Sequence, residues 1–311
     1  MKIIFMGTPD FAIPSLENLI NSEHEILAVF TKQPKQSNRG YKLQKTPVHE
    51  MAEKNNIQVF TPKTFKIEKN IEDVRNLKPD LIVVVAYGLI LPKKLLDIPK
   101  YGCINIHPSL LPKYRGCAPM ERCLMSNDDE TGICIMKIVE ALDAGDVIKI
   151  EKIPIKKETT IVDLKNTLSN LGAKMLLEVV NNFENGDFSI AYKQDDSKAT
   201  FTEKIINSDA IIDWKKDGVI KIHKKIMALC DSVTVTIEHN GNKIKILKSD
   251  YILNNNSNDI KKLGTVVDKN FSIQCVDGIL KLVTVQREGR KIMNIKDFLN
   301  GYKINIMDDI R

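Results

Sequence analysis

At 311 residues the chain is long for a single core, and two domains are the natural expectation. Hydrophobic residues make up 43% of it, enough for a core in each part, and no segment approaches the ~18 uninterrupted apolar residues of a membrane span. The formal net charge of +6 lies wholly in residues 204–311, where 19 basic residues meet 13 acidic ones, while residues 1–203 balance at 27 of each. That asymmetry suggests a polyanionic partner for the C-terminal third, with a lysine-rich solvated surface as the plain alternative. No signal peptide is expected, because the chain enters a strand-like apolar run directly. Cys103, Cys117, Cys123, Cys134, Cys230 and Cys275 show neither C-x-x-C spacing nor a histidine at zinc-like spacing, so reduced thiols and no metal are expected.

Lys2 to Met6 reads as a short buried strand, and Gly7-Thr8-Pro9-Asp10 as a turn into a helix over Phe11 to Leu19, with Asp10 as its N-cap. The turn lacks G-x-G-x-x-G, which argues against a nicotinamide cofactor. Glu25 to Thr31 reads as a second strand, Val48 to Lys54 as a helix, Asp80 to Ala86 as a third strand and Cys103 to Ile106 as a fourth. Lys32 to Lys45 is a polar loop carrying Lys32, Lys35, Arg39, Lys42 and Lys45 and no acidic residue, and its length points to function. Strands alternating with helices predict an α/β fold around a doubly wound, mostly parallel sheet. In such sheets ligands sit at the carboxyl ends of the strands, where Gly7, Tyr87-Gly88 and His107 fall.

Farther along, Ala118 to Ser126 reads as a helix, and Gly132 to Val139 and Val147 to Ile155 as strands around Asp143. Thr160 to Asp163 opens a helix with a capping-box-like start, whose apolar stripe runs from Ile161 to Phe183. The polar stretch from Ala191 to Asn207 has the composition of a linker. A basic helical segment with Lys215, Lys216, Lys221, Lys224 and Lys225 follows, then hairpins around Asn240-Gly241 and Asp277-Gly278 and a short helix from Asn294 to Leu299. These predict a small β-barrel domain over 208–311, after a first domain over 1–190 and a linker over 191–207.

Asn105-Ile106-His107-Pro108-Ser109-Leu110-Leu111-Pro112 is the stretch richest in chemistry. Asn105 and His107 are two apart at the end of a strand and face the same side, and the prolines then take the chain off the sheet. An uncharged hydrogen-bond donor beside a titratable one suits stabilisation of an oxyanion in acyl transfer. A pair that merely caps the strand is the plain alternative.

The string NIHPSLLPKYRGCAP, with Leu142-Asp143-Ala144-Gly145-Asp146 downstream, resembles the folate-dependent formyltransferases. The resemblance begins in KIIFMGTPDFA and runs into KIINSDAIIDW, and over most of the chain it is to the branch that formylates methionyl-tRNA. It implies a Rossmann-like catalytic domain followed by an OB-like barrel, 10-formyltetrahydrofolate as formyl-donor co-substrate, initiator methionyl-tRNA as partner, and a cytoplasmic monomer. It also implies catalysis by Asn105, His107 and Asp143. His107 would donate to the oxyanion as an imidazolium and shuttle a proton, Asn105 would be a second donor, and Asp143 would keep His107 charged. Folate is implied to lie against Ser109, Leu110, Leu111 and Pro112 and against Val85, Tyr87, Gly88 and Leu89. For tRNA the implied contacts are Arg39 and Lys42 of the basic loop, with Lys215 and Lys216 beyond the linker.

The chain departs from the family pattern at Lys35-Gln36-Ser37, where acidic and proline positions are replaced, and near Ala228 to Val233, where the family often has proline and tryptophan. Formylation of glycinamide ribonucleotide or an amino sugar stays open, as does a catalytically idle RNA-binding relative. Asp146 is a rival to Asp143. His24, His49, His223 and His239 sit among polar neighbours and are expected at the surface.

Overall fold

The computed structural model describes residues 1–37, 42–126, 128–186, 191–254 and 262–311. In chain order the elements begin β1 (Lys2–Gly7), α1 (Ile13–Ile20), β2 (Glu25–Phe30), β3 (Lys35–Ser37), β4 (Lys42–Gln44), α2 (Pro47–Lys54), β5 (Val59–Phe60), α3 (Glu68–Asn76) and β6 (Leu81–Val85). They continue α4 (Lys93–Leu96), β7 (Cys103–His107), β8 (Arg115–Gly116), α5 (Pro119–Met125), β9 (Glu130–Lys137), β10 (Val147–Pro154), α6 (Ile161–Glu184) and β11 (Phe201–Thr202). The C-terminal part holds α7 (Val219–Leu229), β12 (Thr236–His239), β13 (Asn242–Leu253), β14 (Ser272–Gln274), β15 (Gly278–Arg287), β16 (Met293–Asn294) and α8 (Ile295–Asn300). Contacts group these into one unit of residues 1–116, 131–153 and 165–201, and a second of residues 117–130, 154–164 and 202–311.

The first unit is built on a seven-stranded sheet in the order β10-β9-β7-β6-β1-β2-β5. β2, β1, β6 and β7 run parallel, and β9 joins antiparallel to β7. The expected doubly wound, mostly parallel sheet is therefore present. β6 is buried at all five positions, as a parallel strand covered on both faces must be. On β7 the alternation separates two sides. Ile106 turns toward α6, where Gly172 leaves room for it: a Cβ there would come 3.0 Å from Ile106 Cγ2. Asn105 and His107 share the opposite side.

Several local expectations change. Asp10 makes no cap: a 3-10 turn covers Asp10–Ala12 and the α-helix starts at Ile13, with Pro14 in a first turn that needs no N–H there. Thr46 caps α2 by accepting from the His49 N–H. The basic loop is not structureless, since β3 and β4 pair antiparallel as a short hairpin with Lys35 opposite Gln44. Residues 191–201 pack into the first unit, where Tyr192 bridges to Val147 and Gln194 is buried. The helix start at Thr160 is a true capping box: Asp163 accepts from the Thr160 N–H at 3.0 Å while Thr160 Oγ1 accepts from the Asp163 N–H at 3.2 Å.

In the second unit β12-β13-β15-β14 form an antiparallel sheet with β16 on β15. Asn240 and Gly241, with φ of 48° and 70°, make the left-handed turn that the β12–β13 hairpin requires. The C-terminal residues close the sheet. Glu238 on β12 exchanges both backbone bonds with Arg311, and Ile310 and Asp308 bond to Gly264 and Val266. That segment in turn bonds to β14, Gly264 and Thr265 to Gln274 and Val267 to Ser272, with Val266 opposite Ile273. Ile222 and Ile226 of α7 cover the resulting barrel, with Ile244, Ile246, Phe271 and Leu280 inside. Asp277 serves α7 and not only its own hairpin, accepting from the Val219 N–H at the first turn at 2.6 Å.

Candidate active site

His107 is the last residue of β7 and is 4% exposed. Its Nε2 lies 2.9 Å from the carbonyl oxygen of Tyr114. A carbonyl only accepts, so Nε2 carries the hydrogen and Nδ1 is the nitrogen left to titrate. Nδ1 faces Asp143 Oδ2 at 3.7 Å, an ion-pair distance but longer than a hydrogen bond. Of the two rival carboxylates it is therefore Asp143 that meets the histidine. The expected resting imidazolium changes here. Burial pulls the His107 pKa below its ordinary value, and the Asp143 carboxylate and Tyr114 carbonyl offset only part of that. Cys134 stands opposite His107 on β9, its thiol pushed by burial to a pKa of about 12 and so neutral.

Asp143 sits in the turn between β9 and β10 with φ of 48°. Aspartate is one of the few L-residues that visit this region, because a short polar side chain can bond locally. Here Oδ2 accepts from the Gly116 N–H at 2.7 Å. Gly145 lets the turn fold back on β9: a Cβ at that position would lie 1.9 Å from the Lys137 carbonyl oxygen. Asn105, half-buried, makes no side-chain hydrogen bond to another described residue. Its amide is thus available beside His107.

The residues expected against folate divide into two sets. Leu110 and Pro112 are half-buried, whereas Leu111 packs into a small core with Cys134, Met136 and Val147. Ser109 is fully buried and its hydroxyl donates to the Lys113 carbonyl at 2.7 Å, fastening the loop. At the end of β6, Val85 and Tyr87 point into the core, and burial pushes the Tyr87 phenol pKa up. Ala86 and Gly88, left-handed with φ of 48° and 77°, expose the backbone there, with Leu89 half-buried and Ile90 91% exposed. The Thr8 hydroxyl donates to the Tyr87 carbonyl at 2.9 Å and ties the β1 and β6 loops together. Exposed main-chain groups flanked by leucine and isoleucine fit a flat heterocycle with polar edges.

Of the basic residues singled out, Arg39 lies outside the described residues, as does the side chain of Lys42. Lys215 and Lys216 are exposed in a turn ahead of α7 and not on a helix, and Lys216 pairs with Asp213 at 3.5 Å. On α7 itself, Lys221 pairs with Asp217, Lys224 donates to the Ser126 carbonyl, and Lys225 is buried against the Ile211 carbonyl. The lysines of this region do not form one free basic face.

The histidines expected at the surface are mostly interior. His24 is 7% exposed, His223 3% and His239 0%, and only His49 is partly open. Four groups around the His107–Asp143 pair also escaped the sequence: the Tyr114 carbonyl, the Gly116 N–H, Gln194, whose amide donates to the Asp143 carbonyl, and Arg115, which donates to Gln194. The first two act through backbone, which no side-chain pattern announces. Among the described residues no group of three or more His, Cys, Asp or Glu could hold a metal ion, and no helix is long and apolar enough to cross a membrane.

Residues 1–180 match the protein family described as Formyl transferase, and residues 204–303 the family described as Formyl transferase, C-terminal domain. A methionyl-tRNA formyltransferase of Ehrlichia canis is 45% identical over 306 residues, covering 98% of each chain. One of Rickettsia bellii is 37% identical over 311 residues, covering 100% of each. The sugar 3N-formyl transferase WlaRD shares the fold with a TM-score of 0.68 at 22% identity, covering 94% of this chain and 99% of that one. With the catalytic family spanning more than half of the sequence, and relatives of one name aligned along nearly all of it, the chain belongs to the methionyl-tRNA formyltransferase family.

Proposed function

We propose that this chain moves the formyl group of 10-formyltetrahydrofolate onto the amino group of initiator methionyl-tRNA through Asn105, His107 and Asp143. The observation that carries the reading is the buried His107–Asp143 pair, with the open Asn105 amide on the same side of β7. Because the resting imidazole is neutral, His107 begins as a base. Nδ1 takes the proton that the amine loses as its bond to the formyl carbon forms. Asp143 stabilises the imidazolium so made, and His107 returns the proton to the departing folate nitrogen as its bond to that carbon breaks. Asn105 donates to the formyl oxygen while negative charge gathers on it.

The exposed backbone at Ala86 and Gly88, with Leu89, Leu110 and Pro112, supports a folate site. Val85, Tyr87, Ser109 and Leu111 shape its walls from behind. For tRNA, Lys215 and Lys216 on the second unit and Arg39 and Lys42 of the basic 32–45 stretch are proposed to meet phosphates, giving affinity and not base readout. In the same reading the domain over 1–190 carries the chemistry with residues 191–201 packed into it, the remainder of 191–207 joins it to 208–311, and 208–311 bind tRNA, in a cytoplasmic monomer.

The test incubates the purified protein with 10-formyltetrahydrofolate and charged initiator tRNA and assays the released amino acid for formylmethionine by mass. Product that disappears with His107→Ala supports both reaction and site. No product, with formylation of glycinamide ribonucleotide or an amino sugar instead, would replace the acceptor. Binding of tRNA that does not weaken with added salt would remove the phosphate contacts.

A further inference from the structure

Arg115 and Gln194 are buried polar residues, 4% and 6% exposed, that the proposed chemistry does not use. They lie 79 positions apart, yet the guanidinium grips the amide: Arg115 Nε and Nη2 donate to Gln194 Oε1 at 3.1 and 2.8 Å. Nη2 also donates to Asp196 Oδ1 at 2.7 Å. This fixes which way the amide points, since only its oxygen can face an arginine. Nε2 is thereby aimed at the Asp143 turn. It donates to the Asp143 carbonyl at 2.8 Å and the Gly145 carbonyl at 2.7 Å, so both of its hydrogens are spent on that turn.

The same three-residue segment serves both partners of the catalytic pair. Tyr114 O accepts from His107, and Gly116 N–H donates to the Asp143 carboxylate. Between them Arg115 closes a ring: its backbone leads to the Asp143 side chain, and its side chain leads through Gln194 to the Asp143 backbone. Its own N–H is held by the Thr200 carbonyl at 2.8 Å. An aspartate in a left-handed turn, held only by its carboxylate, could swing away from the histidine; gripped at both ends it stays in place. We propose that Arg115 and Gln194 are positioning residues that set the Asp143 carboxylate against His107 and so govern how readily His107 takes up and releases the proton.

The inference rests on the reading of His107 and Asp143 as the catalytic pair, and its first readout does not need turnover. The groups facing His107 are the Asp143 carboxylate, the neutral Cys134 thiol and the Tyr114 carbonyl; Arg115 and Asp196 act one step farther out. Asp143, ahead of the Tyr114 carbonyl, raises the proton affinity of His107, so loosening Asp143 lowers that affinity. The experiment follows the His107 ring signals by NMR as a function of pH in the full chain and in Gln194→Leu, whose side chain fills similar space without polar atoms. The expected result is a His107 midpoint lower than in the parent. In the formylation assay kcat falls about 100-fold with KM for folate within about twofold, and the acid limb of the kcat profile moves with the NMR midpoint.

An unchanged midpoint in folded Gln194→Leu overturns the proposal, as does a rise in KM with kcat intact. If that variant does not fold, Gln194→Met, uncharged and of similar length, likewise removes both donations to the turn, and the same two outcomes decide. Arg115→Lys, which keeps charge but loses the fork, is expected to fall between parent and Gln194→Leu. A parent protein that formylates nothing defeats the functional reading and leaves the NMR comparison to decide the positioning on its own.

Discussion

His107 in the first unit and His239 in the second are both buried histidines beside an aspartate, and they differ in how completely they are satisfied. His239 is 0% exposed, with Nε2 2.9 Å from Asp308 and Nδ1 2.9 Å from the Tyr302 hydroxyl. Phe271 and Tyr302 pack against its ring at 5.2 and 5.6 Å between centroids. Nothing is left over for a ligand. His107 has one nitrogen bonded and the other 3.7 Å from its carboxylate, with an unused amide beside it. A saturated network stabilises a fold, whereas an unsaturated one at a strand end can change its bonding during a reaction. The same pair of residue types thus serves a barrel in one place and chemistry in the other.

The largest expected effect breaks the first side of this contrast. Replacing His107 by Gln should lower the formylation rate about 10³-fold, and Asp143→Asn about 10²- to 10³-fold, each with little change in melting temperature. Asn105→Ala should cost about 10²-fold through the lost donor to the formyl oxygen. Steady-state rates with charged tRNA, beside thermal melts of the same samples, check all three. Near-parental turnover in any of them removes that residue from the mechanism.

The second side should fail in the opposite manner. His239→Ala removes a hub that joins β12 to the C-terminal segment and takes one partner from the Asp308 carboxylate, left with the Asn305 N–H, and one from the Tyr302 hydroxyl, left with the residue 239 carbonyl. A loss of about 3 kcal/mol of stability in the second unit is expected, with kcat per folded molecule unchanged below the melting range. Denaturant titration read together with kcat separates the two effects. A variant that melts normally but turns over slowly would make His239 functional and dissolve the contrast.

The contrast also marks what the sequence could show. Asn105 and His107 were legible because a period of two and two bounding prolines are local facts, and the parallel sheet because strands and helices alternate. Asp143 was legible only through its motif, since no spacing rule pairs positions 107 and 143. Gln194 sat in a stretch that composition read as linker, and its partner Arg115 is 79 residues away. His239 looked like a surface residue because its neighbours in sequence are polar. Its burial is made by Tyr302 and Asp308, 63 and 69 positions on, in the segment that closes the barrel. Residues that depend on closure of a sheet are the ones that local pattern misses.

The smallest expected effect sharpens the comparison through pH. Burial holds the folded His107 pKa below its unfolded value of about 6.5, so the unfolded chain binds more protons in the window between the two values. Stability therefore rises with pH across that window, is fully present above about 6.5, and is lost as pH falls toward the folded value, by at most about 1.4 kcal/mol per pH unit for one proton. His223, also lowered chiefly by burial, adds a slope of the same sign in the second unit. Asp308, whose pKa is held down by the Asn305 N–H and by His239, keeps its contribution until pH falls below the usual aspartate range near 4. Unfolding free energies between pH 5 and 7.5 should thus show an acid-side loss that His107→Gln reduces and that the double variant with His223→Gln nearly removes, leaving Asp308 untouched. A His107→Gln protein that keeps the full parental slope would mean that the folded protein already holds His107 as readily protonated as the unfolded chain does. In that case the proton would have to reach the amine or folate nitrogen from a charged imidazole, and the order of the transfer steps would reverse.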